Sequence, residues 1–224
     1  MIVTIDGPAG AGKSTVARSL AARLGCQFLD TGAMYRAVAL AAMRADVDWE
    51  DKQGLVRLVD ALQIRLDGDQ VQLDGEDVSQ AIRTPEIASV IHYVADHPGI
   101  RERLIRMQRA AVEGRSAVTE GRDQGTLAFP DAVCKIFLTA SPTERARRRQ
   151  RDLMERGQTV ALETVLAQQQ ERDRRDRERE VGCLQQAPDA IEVITDGMSQ
   201  LEVVQRLVEV VRTVTGNQDA PETL

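Results

Sequence analysis

Residues 7 to 15 read Gly7-Pro8-Ala9-Gly10-Ala11-Gly12-Lys13-Ser14-Thr15 and match G-x-x-x-x-G-K-[ST], the pattern of a phosphate-binding loop. An apolar stretch from Ile2 to Ile5 precedes this loop, and a stretch with helical spacing from Thr15 to Leu24 follows it. The glycines allow the backbone to turn its N–H groups toward one point, and the following helix adds its positive end. The sequence therefore predicts a strand, a loop that holds the phosphates of a nucleoside triphosphate, and a helix.

Two side chains of the loop, and one farther along the chain, have predicted roles at the phosphates. Lys13 can bridge the β- and γ-phosphates as a catalytic cation, and the hydroxyl of Ser14 can hold a magnesium ion. Glu120 follows a later apolar run, where phosphate-loop proteins keep an acidic group near the magnesium ion, and we expect it to act through water. A strand-end carboxylate that is merely hydrated is the alternative for Glu120.

The composition is that of an ordinary globular protein. Of the 224 residues, 42% are hydrophobic and 29% charged, and the net charge of −6 disfavours bulk attraction to nucleic acid. The sequence has no run of about 18 apolar residues and no basic start with an apolar region, so we expect neither a membrane span nor a secretory signal. The three cysteines, Cys26, Cys134 and Cys183, stand far apart and favour reduced thiols. We therefore expect a cytoplasmic monomer without nucleic-acid or membrane partners.

Five short apolar runs, each closed by a polar or glycine-containing segment, have the pattern of buried parallel strands. They are Ile2–Asp6, Gln27–Leu29, Ala117–Glu120, Val133–Thr139 and Ile191–Thr195. Helical patterns lie between most of them, which indicates an α/β fold with a doubly wound, five-stranded parallel sheet. Ligands of such folds bind at the carboxyl ends of the strands.

Two interruptions are too long to be simple loops, so we divide the chain into a core, an insertion and a lid. The insertion contains Asp67-Gly68 between alternating residues, which predicts a hairpin and a small antiparallel sheet. The predicted parts are a core (1–36, 114–140, 185–216), an insertion for a monophosphate (37–113), an arginine-rich helical lid (141–184) and a frayed tail (217–224).

Eleven arginines lie between Arg145 and Arg179. A solvated helix pair with ion pairs four residues apart is one interpretation. The other is a mobile lid, because Arg172, Arg175 and Arg179 share one helical face and could cover a phosphoryl group during transfer. We assign Arg145 to Arg151 to the outer face of this lid, without a role in the site.

Three further arginines favour a second anion site. Arg36 starts a predicted helix, Arg122 follows the third strand, and Arg109 lies on the last helix of the insertion. Asp123 could accept a hydrogen bond from an amino group of a base. Two anion sites with a closing lid suit transfer between two phosphorylated nucleotides.

Several segments, in their order along nearly the whole chain, resemble the bacterial cytidylate kinase family. The most specific are Asp30-Thr31-Gly32-Ala33-Met34-Tyr35-Arg36 and Gly121-Arg122-Asp123 with Gly125-Thr126. The phosphate loop, Ile82-Arg83-Thr84, Phe129 to Ala132, Lys135 to Leu138 and Glu171-Arg172-Asp173 with Asp176 add to the resemblance. It implies transfer of the γ-phosphoryl group of ATP, with Mg²⁺, to CMP or dCMP.

The resemblance also implies roles for individual residues. Arg36 and Arg122 would hold the CMP phosphate, while Arg109 and Asp123 would read the cytosine ring. The same pocket would be lined by Thr31 and Tyr35. On the lid, Arg172 and Asp176 would face the sugar and phosphate, and Arg172, Arg179 and Arg122 would be catalytic.

The chain departs from the family pattern at several positions. Glu120 stands where the family has Asp, and Gln124 stands where an apolar residue is usual. His92 replaces a base-contacting serine and could still take that role, whereas Cys183 replaces a proline near the end of the lid. Thr195-Asp196 does not match the family's adenine-contacting segment.

Three other functions remain open at this stage. Another pyrimidine monophosphate kinase, for example one that prefers UMP, would show the same general features. A nucleotide-dependent switch is disfavoured, since no Asn-Lys-x-Asp guanine motif follows a late strand. A small-metabolite kinase of the shikimate or gluconate type is also disfavoured, because such an enzyme manages with a shorter acceptor region than the insertion of this chain.

Overall fold

The computed structural model of this protein describes residues 1–155 and 157–216. The frayed tail predicted at 217–224 lies outside the described residues. Within the described part, the chain separates into two compact units. The phosphate-loop unit comprises Met1–Phe28 and the chain from Arg115 onward, and the inserted unit comprises Leu29–Gly114.

A five-stranded sheet in the order β2-β6-β1-β7-β8 confirms the predicted α/β class. Its strands are β1 (Ile2–Asp6), β2 (Gln27–Asp30), β6 (Ala117–Gly121), β7 (Cys134–Thr139) and β8 (Ile191–Ile194). The central strand β1 is parallel to both neighbours, with Asp6 beside Gly121 of β6 and Phe137 of β7. Three strands thus end side by side, and the segments that follow them lie at one edge of the sheet.

Among the described residues of the phosphate-loop unit, four α-helices accompany this sheet. They are α1 (Lys13–Leu24), α6 (Pro142–Glu155), α7 (Leu162–Glu178) and α8 (Gln200–Thr215). One apolar cluster joins the strands to α1 and α8 and includes Ile5, Leu20, Leu138 and Leu207, all fully buried. Burying such side chains is the main stabilising contribution to a fold of this kind, at about 1.5–3 kcal/mol each.

The inserted unit consists of helices around a small sheet. Its helices are α2 (Thr31–Arg44), α3 (Lys52–Ala61), α4 (Pro85–Ala95) and α5 (Pro98–Ala111), and its strands are β3 (Ile64–Asp67), β4 (Gln70–Leu73) and β5 (Glu76–Asp77). The antiparallel pairing of β3 with β4 and of β4 with β5 confirms the predicted sheet. Side chains of Asp51, Thr84 and His97 accept N–H groups at the starts of α3, α4 and α5.

The boundary of the inserted unit differs from the predicted one. Residues 29–36, which the sequence analysis assigns to the core, cluster with the inserted unit. The reason is the first half of α2, which buries Met34, Tyr35 and Val38 in a cluster with Leu55 and Ile87. The functional division into core, insertion and lid stays a prediction.

In the described part of the chain, no helix is both long and apolar enough to cross a membrane.

Candidate active site

The backbone of the phosphate loop is shaped by three glycines with a positive φ, Gly7, Gly10 and Gly12. Gly7 has a φ of 151°, and a Cβ there would stand 2.0 Å from the carbonyl oxygen of Leu138. Gly10 has a φ of 77°, and its Cβ would stand 2.4 Å from Nε2 of Gln169. Gly12 precedes α1 and offers no side chain to cap it. The first N–H groups of α1 are therefore available to an anion.

Lys13 is the cation of this loop and is 5% exposed. Its ammonium group donates a hydrogen bond of 2.8 Å to the carbonyl oxygen of Pro8, which folds the side chain back along the loop. Burial, followed by the nearby guanidinium of Arg122, lowers the pKa of Lys13 from 10.5 to about 7. An anion at the loop would restore the charge of Lys13.

Two oxygen-bearing side chains meet at the start of α1. The hydroxyl of Ser14 donates a hydrogen bond of 2.7 Å to the carboxylate of Glu120, which is buried at the end of β6. The described residues contain no group of three His, Cys, Asp or Glu side chains that could hold a metal. Mg²⁺ is usually held by one or two protein oxygens, waters and substrate phosphates, so Ser14 and Glu120 fit that ion.

Asp6, at the end of β1, has a role that the sequence analysis missed. Its carboxylate accepts the N–H groups of Gln124 at 2.9 Å and Gly125 at 2.7 Å, and thereby fixes the segment that follows Arg122 and Asp123. Burial raises the pKa of Asp6 to about 6 despite these two donors. The local signal, an acidic residue at a strand end, is too common to reveal the role.

An ion-paired group joins the end of β6 to α7. Asp176 accepts hydrogen bonds of 2.7 Å from Nε of Arg122 and from Nη2 of Arg179. Burial raises the pKa of Asp176, but Arg122, Arg172 and Arg179 together outweigh burial and hold the pKa at about 2. Four of the predicted site residues are therefore electrostatically coupled, and Asp176 is ionised at neutral pH.

Two predictions about the arginine-rich segment are wrong. Arg145 does not lie on an outer face, because it is 4% exposed and its Nη1 donates to Asp173 at 2.6 Å and to the carbonyl oxygen of Ala9 at 2.8 Å. Arg175 does not share a helical face with Arg179, because α7 ends at Glu178 and Arg179 lies beyond it. Arg175 is exposed and pairs with Glu171 at 2.8 Å, and Arg172 is exposed as well. The buried residues of α7 are Val165, Gln169, Asp173 and Asp176.

The departures from the family pattern have visible partners in the structure. The buried amide of Gln124 accepts the hydroxyl of Thr119 at 2.5 Å, which satisfies a polar group where an apolar one is usual. Asp196 accepts the N–H of Ser141 at 2.9 Å and therefore ties the segment after β8 to the start of α6. Cys183 is half-buried near Gln185.

In the inserted unit, Asp30 organises the start of α2. Its carboxylate accepts the N–H of Ala33 at 2.9 Å, which caps the helix, and it lies 3.3 Å from Nη2 of Arg36. Nη2 of Arg83, from the Ile-Arg-Thr segment, lies 3.7 Å from the same carboxylate. Arg36 and Arg83 therefore share one counterion, and Arg83 is a charged neighbour that the sequence analysis gave no role.

Four further predicted acceptor residues, Thr31, Tyr35, His92 and Arg109, also belong to the inserted unit, whereas Asp123 and Arg172 lie in the phosphate-loop unit. Thr31 and Tyr35 are buried on α2, and the guanidinium of Arg101 lies 5.2 Å from the centre of the Tyr35 ring. Arg109 is exposed on α5 and His92 is half-buried on α4, beside Tyr93. His97, for which no binding role is predicted, caps α5.

A glycine-shaped loop at the carboxyl edge of a parallel sheet, with a buried lysine, a serine and a carboxylate at its end, defines a phosphate-loop nucleotide-binding protein. A solved structure of a protein from Eubacterium ventriosum has the same fold, with a TM-score of 0.52 at 13% identity over 95% of this chain and 99% of that one. The chain belongs to the cytidylate kinase family, whose model matches residues 3–213.

Two relatives illustrate this membership. The cytidylate kinase of Rhodopirellula baltica is 56% identical over 95% of this chain and 93% of its own length. A bifunctional pantoate ligase/cytidylate kinase of Synechococcus is 47% identical over 94% of this chain, which spans 40% of that longer protein.

Proposed function

We propose that this protein transfers the γ-phosphoryl group of ATP to CMP or dCMP, giving ADP and CDP or dCDP. The observation that carries the proposal is the arrangement in the phosphate-loop unit, where Lys13, Ser14 and Glu120 at the loop accompany the ion-paired Arg122, Asp176 and Arg179. Membership of the cytidylate kinase family supports the choice of CMP as acceptor.

The donor phosphates are bound by the loop from Gly7 to Thr15. Its N–H groups and the positive end of α1 hold oxygens of the polyphosphate, and Lys13 bridges the β- and γ-phosphates. Ser14, and Glu120 through a water, would hold magnesium, which would supply positive charge to the phosphate oxygens. The hydrogen bond between Ser14 and Glu120 keeps both oxygens oriented before the ligand enters.

The acceptor is bound by side chains rather than by backbone groups. Arg36 and Arg122 hold the phosphate of CMP, while Arg109 and Asp123 recognise the cytosine ring beside Thr31 and Tyr35. His92 is a further candidate for contact with the base. The phosphate of the acceptor is already largely ionised at neutral pH, since its second pKa is about 6, so attack requires no general base.

The helices α6 and α7 form the lid of this reaction. Arg172 and Arg179 spread positive charge over the transferring group, and the pairing of Arg179 with Asp176 keeps its guanidinium oriented. A closed lid also excludes water, which would otherwise hydrolyse ATP.

We further propose that the protein acts in the cytoplasm as a monomer. The free cysteines Cys26, Cys134 and Cys183 fit the reducing conditions of that compartment.

The direct test is a coupled assay of ADP release over CMP, dCMP, UMP and AMP at equal concentrations. We expect kcat/KM for CMP or dCMP to exceed that for UMP and AMP by at least about tenfold, since a site that hydrogen-bonds the cytosine amino group rejects uracil, which has a carbonyl there, and a site shaped for a pyrimidine rejects the larger adenine. Lys13→Ala serves as the inactive control. If CMP fails to outperform UMP and AMP, the acceptor assignment is wrong.

The same assay separates the alternatives. A kinase that prefers UMP would reverse the order of the pyrimidine substrates. A nucleotide-dependent switch would hydrolyse its triphosphate slowly, at a rate that no monophosphate changes.

A further inference from the structure

Both backbone polar groups of one residue in the phosphate loop, Ala9, are held by the lid helices. The N–H of Ala9 donates to Oδ1 of Asp173 on α7 at 3.1 Å. The carbonyl oxygen of Ala9 accepts Nη1 of Arg145 on α6 at 2.8 Å. The same Nη1 lies 2.6 Å from Oδ2 of Asp173, so Arg145, Asp173 and the backbone of Ala9 form a closed ring of contacts.

This ring is buried and is supported from both sides. The side chains of Arg145 and Asp173 are 4% and 3% exposed. Nε of Arg145 donates to the carbonyl oxygen of Ala140 at 3.0 Å, and Gln169 donates to the carbonyl oxygen of Arg145 at 3.3 Å. Ala140 follows β7, so the guanidinium links the loop after β1 to the segment after the neighbouring strand.

The position of Ala9 in the loop makes the ring relevant to phosphate binding. Its N–H is taken by Asp173, and therefore the N–H groups after it, from Gly10 to Ser14, are those left to face phosphate oxygens. Gly10 lies directly against Arg145 and Gln169, since a Cβ there would approach both within 3.3 Å. A shift of the backbone at Ala9 would turn the following N–H groups away from the point where they would meet the phosphate oxygens.

We propose that Arg145 and Asp173 are positioning residues for the donor phosphates: they hold the carbonyl oxygen and the N–H of Ala9 and thereby preorganise the phosphate-binding N–H groups from Gly10 onward. They act through the loop and touch no reacting atom. The inference deepens the function proposed above and rests on it for the identity of ATP as donor. It also makes the seating of α6 and α7 a condition for tight triphosphate binding.

A purely structural role for this ion pair is the competing explanation. A buried pair that only supports the fold would alter thermal stability when removed, and it would leave the affinity of a folded variant for phosphates unchanged. A positioning role instead predicts weaker binding of the triphosphate with little change in the KM of CMP. The two explanations therefore differ in a binding measurement on folded protein.

The experiment measures the binding of inorganic tripolyphosphate with Mg²⁺ by calorimetry, together with the KM of ATP and the KM of CMP. Asp173→Asn keeps the size and an acceptor oxygen but loses the charge, and Arg145→Lys keeps the charge but loses the fork that reaches Ala9 and Ala140. A double variant, Arg145→Met with Asp173→Leu, removes both charges together, so that neither is left buried without its partner. Arg174→Ala, an exposed arginine on α7 that pairs with Glu171, is the matched control.

We expect the three variants to melt cooperatively, to lose about 10- to 100-fold in tripolyphosphate affinity and to raise the KM of ATP similarly, with the KM of CMP within about twofold of wild type. Because both side chains hold the backbone of one residue, the loss of tripolyphosphate affinity in the double variant should not exceed the sum of the losses in the two single variants. Arg174→Ala should bind as wild type does. Folded variants that bind tripolyphosphate normally, or equal rises in both KM values, would overturn the proposal.

Failure of this inference is distinguishable from failure of the proposed function. Tripolyphosphate binding reports on the loop whatever the acceptor is, and wild-type turnover of CMP reports on the function alone. Wild type that turns over CMP, with variants that bind tripolyphosphate normally, refutes only the positioning role. Wild type that ignores CMP, with variants that lose tripolyphosphate affinity, refutes only the acceptor.

Discussion

The two units of this protein hold their cations in different ways. In the phosphate-loop unit, Lys13 is 5% exposed and folded against the loop, and the Arg122 side chain is 17% exposed and paired with Asp176. In the inserted unit, the Arg36 and Arg83 side chains are 25% and 43% exposed and share Asp30 as a counterion. The first arrangement is fixed before a ligand arrives, whereas the second can exchange one anion for another.

This difference matches what each proposed ligand requires. A polyphosphate is the same in every nucleoside triphosphate, so a rigid, backbone-lined site binds it with little reorganisation. An acceptor phosphate has to be attracted and oriented, and then released as part of a diphosphate. Half-exposed arginines that already pair with a carboxylate can bind such a phosphate and release it again, because the free energy lost with one anionic partner is regained with the other.

The largest effect is expected from Lys13→Ala, which removes the cation from the rigid site. Loss of a group that stabilises developing charge should lower kcat by about 10²–10³-fold or more. Stability should stay equal or rise, since burial disfavours the charge of Lys13 in the empty protein. Steady-state kinetics and thermal melting together check this. Near-normal turnover would show that the lysine does not act on the phosphates.

Arg36→Ala and Arg83→Ala compare two arginines at one carboxylate. Losing a hydrogen bond to a charged phosphate costs about 1.5–3 kcal/mol, so Arg36→Ala should raise the KM of CMP about 10- to 100-fold with the KM of ATP unchanged. Arg83→Ala should have a smaller effect, because Arg83 is more exposed and farther from Asp30. Equal effects of the two variants would contradict the assignment of the acceptor phosphate to Arg36.

Asp176→Asn tests the rigid ion-paired group through the pH dependence of stability. The folded-state pKa of Asp176, about 2, lies below the usual 3.8, so its charge stabilises the fold above about pH 4, and this contribution is lost as the pH falls through 2. The variant should lose about 2 kcal/mol at pH 7. Denaturant unfolding at pH 7 and pH 3 should show the gap between variant and wild type narrowing at the lower pH.

The smallest effect concerns protons taken up when ATP binds. At pH 8 Lys13 is mostly neutral in the empty protein, because its pKa is about 7, and a bound polyphosphate favours its charged form. Binding should therefore take up most of one proton at pH 8. Calorimetry in buffers of different ionisation enthalpy measures this uptake. Lys13→Ala should abolish it, and an unchanged uptake in that variant would assign the proton to another group.

Much of the fold could be predicted because its signals are local. The five parallel strands lie within one or two residues of their predicted ends, since short apolar runs closed by polar residues mark buried strands. The Asp67-Gly68 signal likewise marked the turn between β3 and β4. The phosphate loop could be identified for the same reason, because the spacing of its glycines in the sequence directly reflects the backbone geometry of the loop. The roles given to the acceptor residues stay predictions.

Arg145, Asp173 and Asp6 could not be identified in this way. Arg145 and Asp173 lie in a run of charged residues that resembles a solvated helix surface, and nothing in their spacing separates them from exposed neighbours such as Arg174 and Arg175. Their partner, Ala9, is 136 and 164 residues away in sequence. Asp6 likewise finds its donors, Gln124 and Gly125, only after two strands have paired.

The amino-acid sequence alone determined the strands of the sheet, the phosphate loop and the chemistry of its lysine and serine, because each signal lies in a short stretch of consecutive residues. Only the tertiary structure decided which charged groups are buried and what they hold. Burial of a charge requires a partner, and the partner is supplied by whichever segment the fold brings alongside. For Arg145 and Asp173 that segment is the phosphate loop, where both side chains form hydrogen bonds with the backbone of Ala9.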